Sequence, residues 1–106
     1  MKSAENCASL DDIRVGIDTL DKQIIDALGQ RMAYVKAAAQ FKPTEESIPA
    51  PERVGAMLPQ RQRWAAEAGL DPDFVGPLFA QLIYWFIGQQ VHHWRTQRGL
   101  GPLTSK

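Results

Sequence analysis

The chain has 106 residues, of which 44% are apolar and 23% charged, a globular composition of single-domain size and not that of a disordered segment. Its 12 basic and 12 acidic side chains cancel, which argues against a nucleic-acid binder, since such proteins carry surplus Lys and Arg for phosphates. One cysteine (Cys7) excludes an internal disulfide, the adjacent His92-His93 lack metal-ligand spacing, and no apolar run suits a bilayer span or a signal peptide.

These bounds leave a soluble, cytoplasmic, cofactor-free and metal-free domain over residues 1–106 with frayed ends. The pattern predicts an all-α chain of three helices. Ser9 followed by Asp12 is a capping-box-like start, with Asp11 and Asp12 complementing the helix dipole. Leu10, Ile13, Ile17, Leu20, Ile24, Leu28, Met32 and Val35 then recur at spacings of three and four, one apolar stripe on a helix over about 10–41 that Pro43 closes.

The stretch from Pro43 to Ala50 has the prolines, acids and hydroxyls of a loop. Pro51 suits the first position of a second helix, which turns Val54, Met57, Leu58 and Trp64 inward and ends near Gly69. Pro59 should kink or split it. Asp71-Pro72-Asp73 opens a third helix with the stripe Val75, Leu78, Phe79, Leu82, Ile83, Phe86, Ile87, Val91 and Trp94, although Pro77 favours a later start. Gly99 and Pro102 end it.

The first helix is too long for a monomer. Some thirty residues make a rod of roughly 45 Å, whereas a compact domain of this size has a radius of gyration of about 13 Å. Its stripe runs the whole length, so a second copy must cover the overhang, giving an intertwined two-fold dimer. The alternative is a helix broken at Gly29.

Two polar side chains interrupt the apolar faces. Leu10, Ile17 and Ile24 are seven apart, and the next in that series is Arg31, flanked by Leu28 and Val35. A guanidinium there must meet either a buried carboxylate of the protein or a bound anion. Asp18, Asp21 and Asp26 fall off that line, and the third helix's stripe holds no acid. Gln90 lies four after Phe86 and four before Trp94, so its amide faces the core, as a satisfied core group or a ligand donor. Arg14 borders the first stripe about 25 Å from Arg31, too far to share a site unless a second copy packs antiparallel. Lys42 and Arg53 flank the loop, where each alone reads as a surface charge. His92-His93 read as surface residues, Trp85, Phe86 and Trp94 as packing, and Cys7 as part of a frayed end. No Ser-His-Asp set or phosphate loop is visible, so an enzyme here works without a nucleophile or an obvious base.

The order of features resembles the all-helical chorismate mutase family, and more closely its isochorismate-pyruvate lyase branch. The resemblance rests on Asp12-Ile13-Arg14, Asp18-x-Leu20-Asp21, Leu28-x-x-Arg31, Phe41-Lys42, Ile48-Pro49-Ala50-Pro51-Glu52-Arg53-Val54 and Gln89-Gln90, over about residues 8–98. It implies an intertwined homodimer with two equivalent pockets and a small dicarboxylate substrate. By position, Arg31 would bind one substrate carboxylate and Arg14 of the partner chain the other. Lys42 would reach the ether oxygen of the breaking bond, Gln90 would donate to the pyruvyl end, and Arg53 would line the loop side. Mutases of the family carry an acid directly after this arginine, where this chain has Val54. The implied reaction is a pericyclic cleavage of isochorismate to salicylate and pyruvate for siderophore synthesis, with weak chorismate mutase activity beside it. Arginines grip carboxylates bidentately, and Lys42 supplies a point charge on a loop able to close. The alternatives are a plain chorismate mutase, and a non-catalytic helical dimer that binds an aromatic-pathway acid.

Overall fold

The computed structural model describes residues 2–102. It contains helices α1 (Leu10–Ala38), α2 (Pro51–Glu67) and α3 (Pro72–Gln97), with 3-10 turns at Ala4–Asn6, Ala39–Phe41 and Glu45–Ser47. Among the described residues there is no strand, so the chain is all-α as its periodicity predicts. No described helix is long and apolar enough to cross a membrane. Of the ends expected to fray, outside about 8–98, Met1 and 103–106 lie outside the described residues. The chain divides into two compact units, Met1–Tyr34 and Val35–Lys106.

In the first unit, the start of α1 is fixed by reciprocal bonds. The Ser9 hydroxyl accepts from the Asp12 amide at 3.1 Å. Asp12 in turn accepts from the Ala8 amide at 2.9 Å and from Lys2 Nζ at 3.1 Å. A capping box normally returns its acid to the cap residue's own N–H; here the acid reaches one residue further back. In the segment before it Ala4–Asn6 forms one 3-10 turn, and Cys7 is half-buried with its thiol 3.5 Å from the Ser3 carbonyl. α1 passes through Gly29 without a break. Ile17 and Ile24 on its stripe are 54% and 58% exposed, while Leu28, Arg31 and Met32 are half-buried.

In the second unit, the end of α1 tightens into the 3-10 turn Ala39–Phe41, so helical backbone reaches residue 41 in two parts. α2 packs on α3 through Val54, Met57 and Ile83, with Leu58, Phe79 and Ile87 around them. A second cluster joins Ala39, Ile48, Val91 and Trp94, and Ile87 touches both. Ala65, not Trp64, takes the inward position late in α2, and Trp64 is 51% exposed beneath the Arg61 guanidinium. An apolar side chain counted on a 3.6-residue period is placed only to within a residue after four turns.

The prolines also depart from expectation. α2 runs unbroken through Pro59, and α3 starts at Pro72 despite Pro77. A helix-interior proline removes the bond to the residue four back, at a cost of roughly 3 kcal/mol. The carbonyl-bearing residues concerned are Gly55 and Asp73, and both are exposed, so water can serve those carbonyls. Burial of Val54, Met57, Ala65, Val75 and Ile83 on either side keeps each helix together. The Asp71 carboxylate caps α3 by accepting from the Asp73 amide at 2.9 Å. Gly69 and Gly99 close α2 and α3 at φ of 77° and 70°, with Leu70 and Leu100 amides donating back to Ala65 and Arg95 at 2.8 Å.

The Ala8 amide first, and Lys2 second, hold the Asp12 carboxyl below the ordinary carboxylate value. A depressed folded-state pKa contributes stability above the unfolded value of about 3.9, and that contribution is lost as pH falls through the folded value. The α1 start should therefore loosen only at pH below about 4. Carboxyl-carbon NMR should place the Asp12 midpoint below that of a model aspartate, and a midpoint at or above it would contradict the cap.

Candidate functional site

Regular helix stops after Ala38, yet the next four residues carry the chain to Lys42. Carbonyls at a helix C-terminus lack partners four residues on and must find other donors. α3 and its C-cap residue Arg98 supply them from a single row. Gln90 Nε2 donates to the Val35 carbonyl at 2.6 Å. One turn later the Trp94 indole donates to the Lys42 carbonyl at 2.9 Å, and one turn after that Arg98 Nη2 donates to the same oxygen at 3.3 Å. Residues 90, 94 and 98 are four apart and so lie along one helix face.

Gln90 is 7% exposed. Its sequence-predicted inward orientation is therefore observed, and one amide hydrogen serves the backbone. An amide nitrogen carries two hydrogens, so the second remains able to meet a ligand. Lys42 is half-buried, and its ammonium donates to the Ser47 carbonyl at 3.3 Å. The loop that carries it is pinned at several points. Ser47 Oγ donates to the Thr44 carbonyl at 2.6 Å, Ile48 is 2% exposed in the Trp94 cluster, and Glu45 pairs with Arg95 at 2.7 Å.

Arg53 is exposed on the first turn of α2. It follows Ala50, whose φ of 43° is the left-handed conformation that a Cβ disfavours by about 1–2 kcal/mol. The Ala50 carbonyl accepts from the Arg53 and Val54 amides at 3.0 and 3.2 Å, so this strained residue sets where α2 begins. Further along α2, burial first and then the charge of Arg53 lower the Arg61 pKa, and Arg61 Nε is buried without a hydrogen-bond partner.

The two other predicted residues belong to the first unit. Arg14 is largely exposed, 3.8 Å from Asp11, a weak surface pair. Arg31 is half-buried. Seventeen residues of helix separate them by about 25 Å, so α1 of one chain does not bring them together. In the second unit, Gln90 holds the Val35 carbonyl and Trp94, one turn on, holds that of Lys42. Two recesses lie elsewhere: one of about 210 Å³ beside Cys7, Ile13 and Leu20, and one of about 340 Å³ beside Pro43, Glu45 and Trp94. Neither is lined by any of the five predicted residues.

Sequence reading missed Trp94, Arg95 and Arg98. Packing accounts for the Trp94 ring but leaves out the indole N–H. A buried tryptophan seeks an acceptor, and that rule was the available signal. Replacing Gln90 by Leu removes the donor while keeping most of the volume. Leaving the Val35 carbonyl without its amide should cost about 1–3 kcal/mol in urea unfolding. A loss below about 0.5 kcal/mol would mean that water takes over the carbonyl.

Comparison with known proteins gives the family. The chain is 59% identical over 99 residues to an isochorismate pyruvate lyase of Pseudomonas aeruginosa, covering 93% of this chain and 98% of that protein. Residues 13–91 match the family described as chorismate mutase type II. With most of its length matched on both counts, the chain belongs to the chorismate mutase type II family.

Proposed function

We propose that this chain is an isochorismate-pyruvate lyase. The observation that carries the reading is the 59% identity, over nearly the whole of both chains, to a protein of that name. In the reaction, the C–O bond between ring and enolpyruvyl group breaks while a ring hydrogen moves to the enolpyruvyl methylene. Isochorismate then becomes salicylate and pyruvate, with no atom gained or lost. Siderophore synthesis from salicylate, in the cytoplasm, is the setting that this chemistry suits.

A concerted step of this kind requires no nucleophile and no general base. It requires that the flexible side chain be held over the ring, which is a positioning effect. It also requires fixed positive charge where the ether oxygen gains electron density. In this reading Arg31 and the partner subunit's Arg14 each grip one carboxylate. Lys42 meets the ether oxygen, Gln90 gives its second amide hydrogen to the pyruvyl group, and Arg53 lines the loop side. Val54 supports lyase over mutase: it is buried with Met57 and Ile83, where the resemblance puts an acid in mutases. Mutase activity on chorismate is then a weak side reaction.

The reading includes a two-fold homodimer. Leu10, Ile17 and Ile24 are 61%, 54% and 58% exposed in the single chain, a seven-residue row of large aliphatic side chains that a second copy would cover. Antiparallel packing of two α1 helices is also what would bring Arg14 of one chain near Arg31 of the other. The single domain over residues 1–106 belongs to the same proposal, with each chain relying on its partner for a complete pocket.

Incubating the protein with isochorismate and with chorismate tests the reaction directly. Salicylate fluorescence should rise from isochorismate and outpace prephenate formed from chorismate; no salicylate would overturn the proposal. Lys42→Ala should lower kcat about 10²- to 10³-fold, the size of effect seen when one transition-state donor is removed. The shared pocket has its own test. Arg14→Ala and Arg31→Ala chains, each inactive alone, should recover about a quarter of wild-type activity when mixed and allowed to re-pair at random, because each mixed dimer holds one intact site. No recovery would mean that both arginines serve from the same chain.

A further inference from the structure

We infer that Trp94 and Arg98 are positioning residues for Lys42, clamping the lysine's backbone so that its ammonium is presented in one place. This rests on the catalytic role of Lys42 proposed above. A carbonyl oxygen has two lone pairs, and the Lys42 carbonyl receives two donors, the Trp94 indole of α3 at 2.9 Å and Nη2 of the C-cap residue Arg98 at 3.3 Å. The two donors also hold each other. Arg98 lies over the Trp94 ring at 4.1 Å, and its Nη1 donates to the Trp94 carbonyl at 3.3 Å.

The Trp94 ring itself cannot drift. It is 8% exposed and packs with Ala39, Ile48 and Val91, two of which lie on either side of Lys42 in the chain. Three residues past Lys42 the loop is held again, by Glu45 on Arg95 at 2.7 Å. Arg95 Nε also donates to the Gly101 carbonyl at 2.6 Å, which ties the segment after α3 to the same anchor. The stretch from Lys42 to Glu45 is therefore fastened at both ends to the last turn of α3 and its C-cap. A lysine side chain has a long flexible stem, so a fixed Cα removes the part of its freedom that the side chain cannot remove for itself.

A double-mutant cycle tests the clamp. Trp94→Phe keeps an aromatic ring and deletes the N–H; Arg98→Ala deletes the second donor from an exposed site and serves alone if the first variant does not fold. In the wild-type background either change should lower kcat about 10- to 100-fold with KM nearly unchanged, as expected when a reacting group is misplaced by about an ångström. Added to Lys42→Ala, each should lower the residual kcat by less than about twofold, because the group being positioned is gone. Equal losses in both backgrounds, or no loss in the wild type, would overturn the clamp. If Lys42→Ala alone keeps full turnover, the clamp's catalytic purpose falls too. Salicylate production by that variant would then show that the lyase reading survives without it.

Discussion

Three donors, two on α3 and one at its C-cap, grip the backbone between Val35 and Lys42. A helix that ends beneath other structure leaves carbonyls that must be paired or hydrated. At the end of α1 the pairing comes from Gln90 on Val35, and beyond it from Trp94 and Arg98 on Lys42. The neighbouring residues Ile83, Ile87 and Val91 pack on α2 and on Ile48. α3 thus buries one set of side chains for stability and spends an adjacent row on backbone acceptors of the segment that carries the lysine. Removing a donor from that row leaves a carbonyl unsatisfied and loosens the segment at the same time.

The electrostatic arrangement follows from the same segment. The Lys42 ammonium rests on a neutral carbonyl, that of Ser47, and not on a carboxylate. A carboxylate partner would cancel much of its charge and would have to be displaced by an incoming anion; a carbonyl is exchanged at lower cost. One of the loop's acids, Glu45, is taken up by Arg95. On α2 burial first, and the nearby charge of Arg53 second, lower the Arg61 pKa. The net charge of the chain is zero, so these positive groups are a matter of placement and not of surplus.

The helices were legible in the sequence because each carries a long apolar stripe and strong boundary residues. Ser9 with Asp12, Asp71 with Pro72, and the glycines at 69 and 99 all mark the ends found in the structure. Pro59 and Pro77 were misleading, since the penalty of an interior proline falls on one carbonyl, while the packing that resists it is spread over several residues. Trp64 was misplaced because stripe counting cannot separate an inward position from its neighbour late in a helix. Ala50 left no trace: nothing in the residue type announces a positive φ, and Pro51 after it suggests an extended conformation instead. The inward aim of Gln90 was readable from period alone, but its acceptor, 55 residues away in the chain, was not.

That last distinction bears on how such a site is built. A period locates a polar group on a buried face; only tertiary structure decides which partner it meets. In this fold the partners are main-chain carbonyls, which every residue type provides, so the segment from Val35 to Lys42 can be gripped whatever its side chains are. Its side chains are then free to be selected for other work. On the lyase reading, that work is presenting one ammonium to a breaking C–O bond in a reaction where geometry replaces acid–base chemistry. A loop held only by its own side chains would compete with that task, whereas a loop held by its backbone leaves Lys42 available.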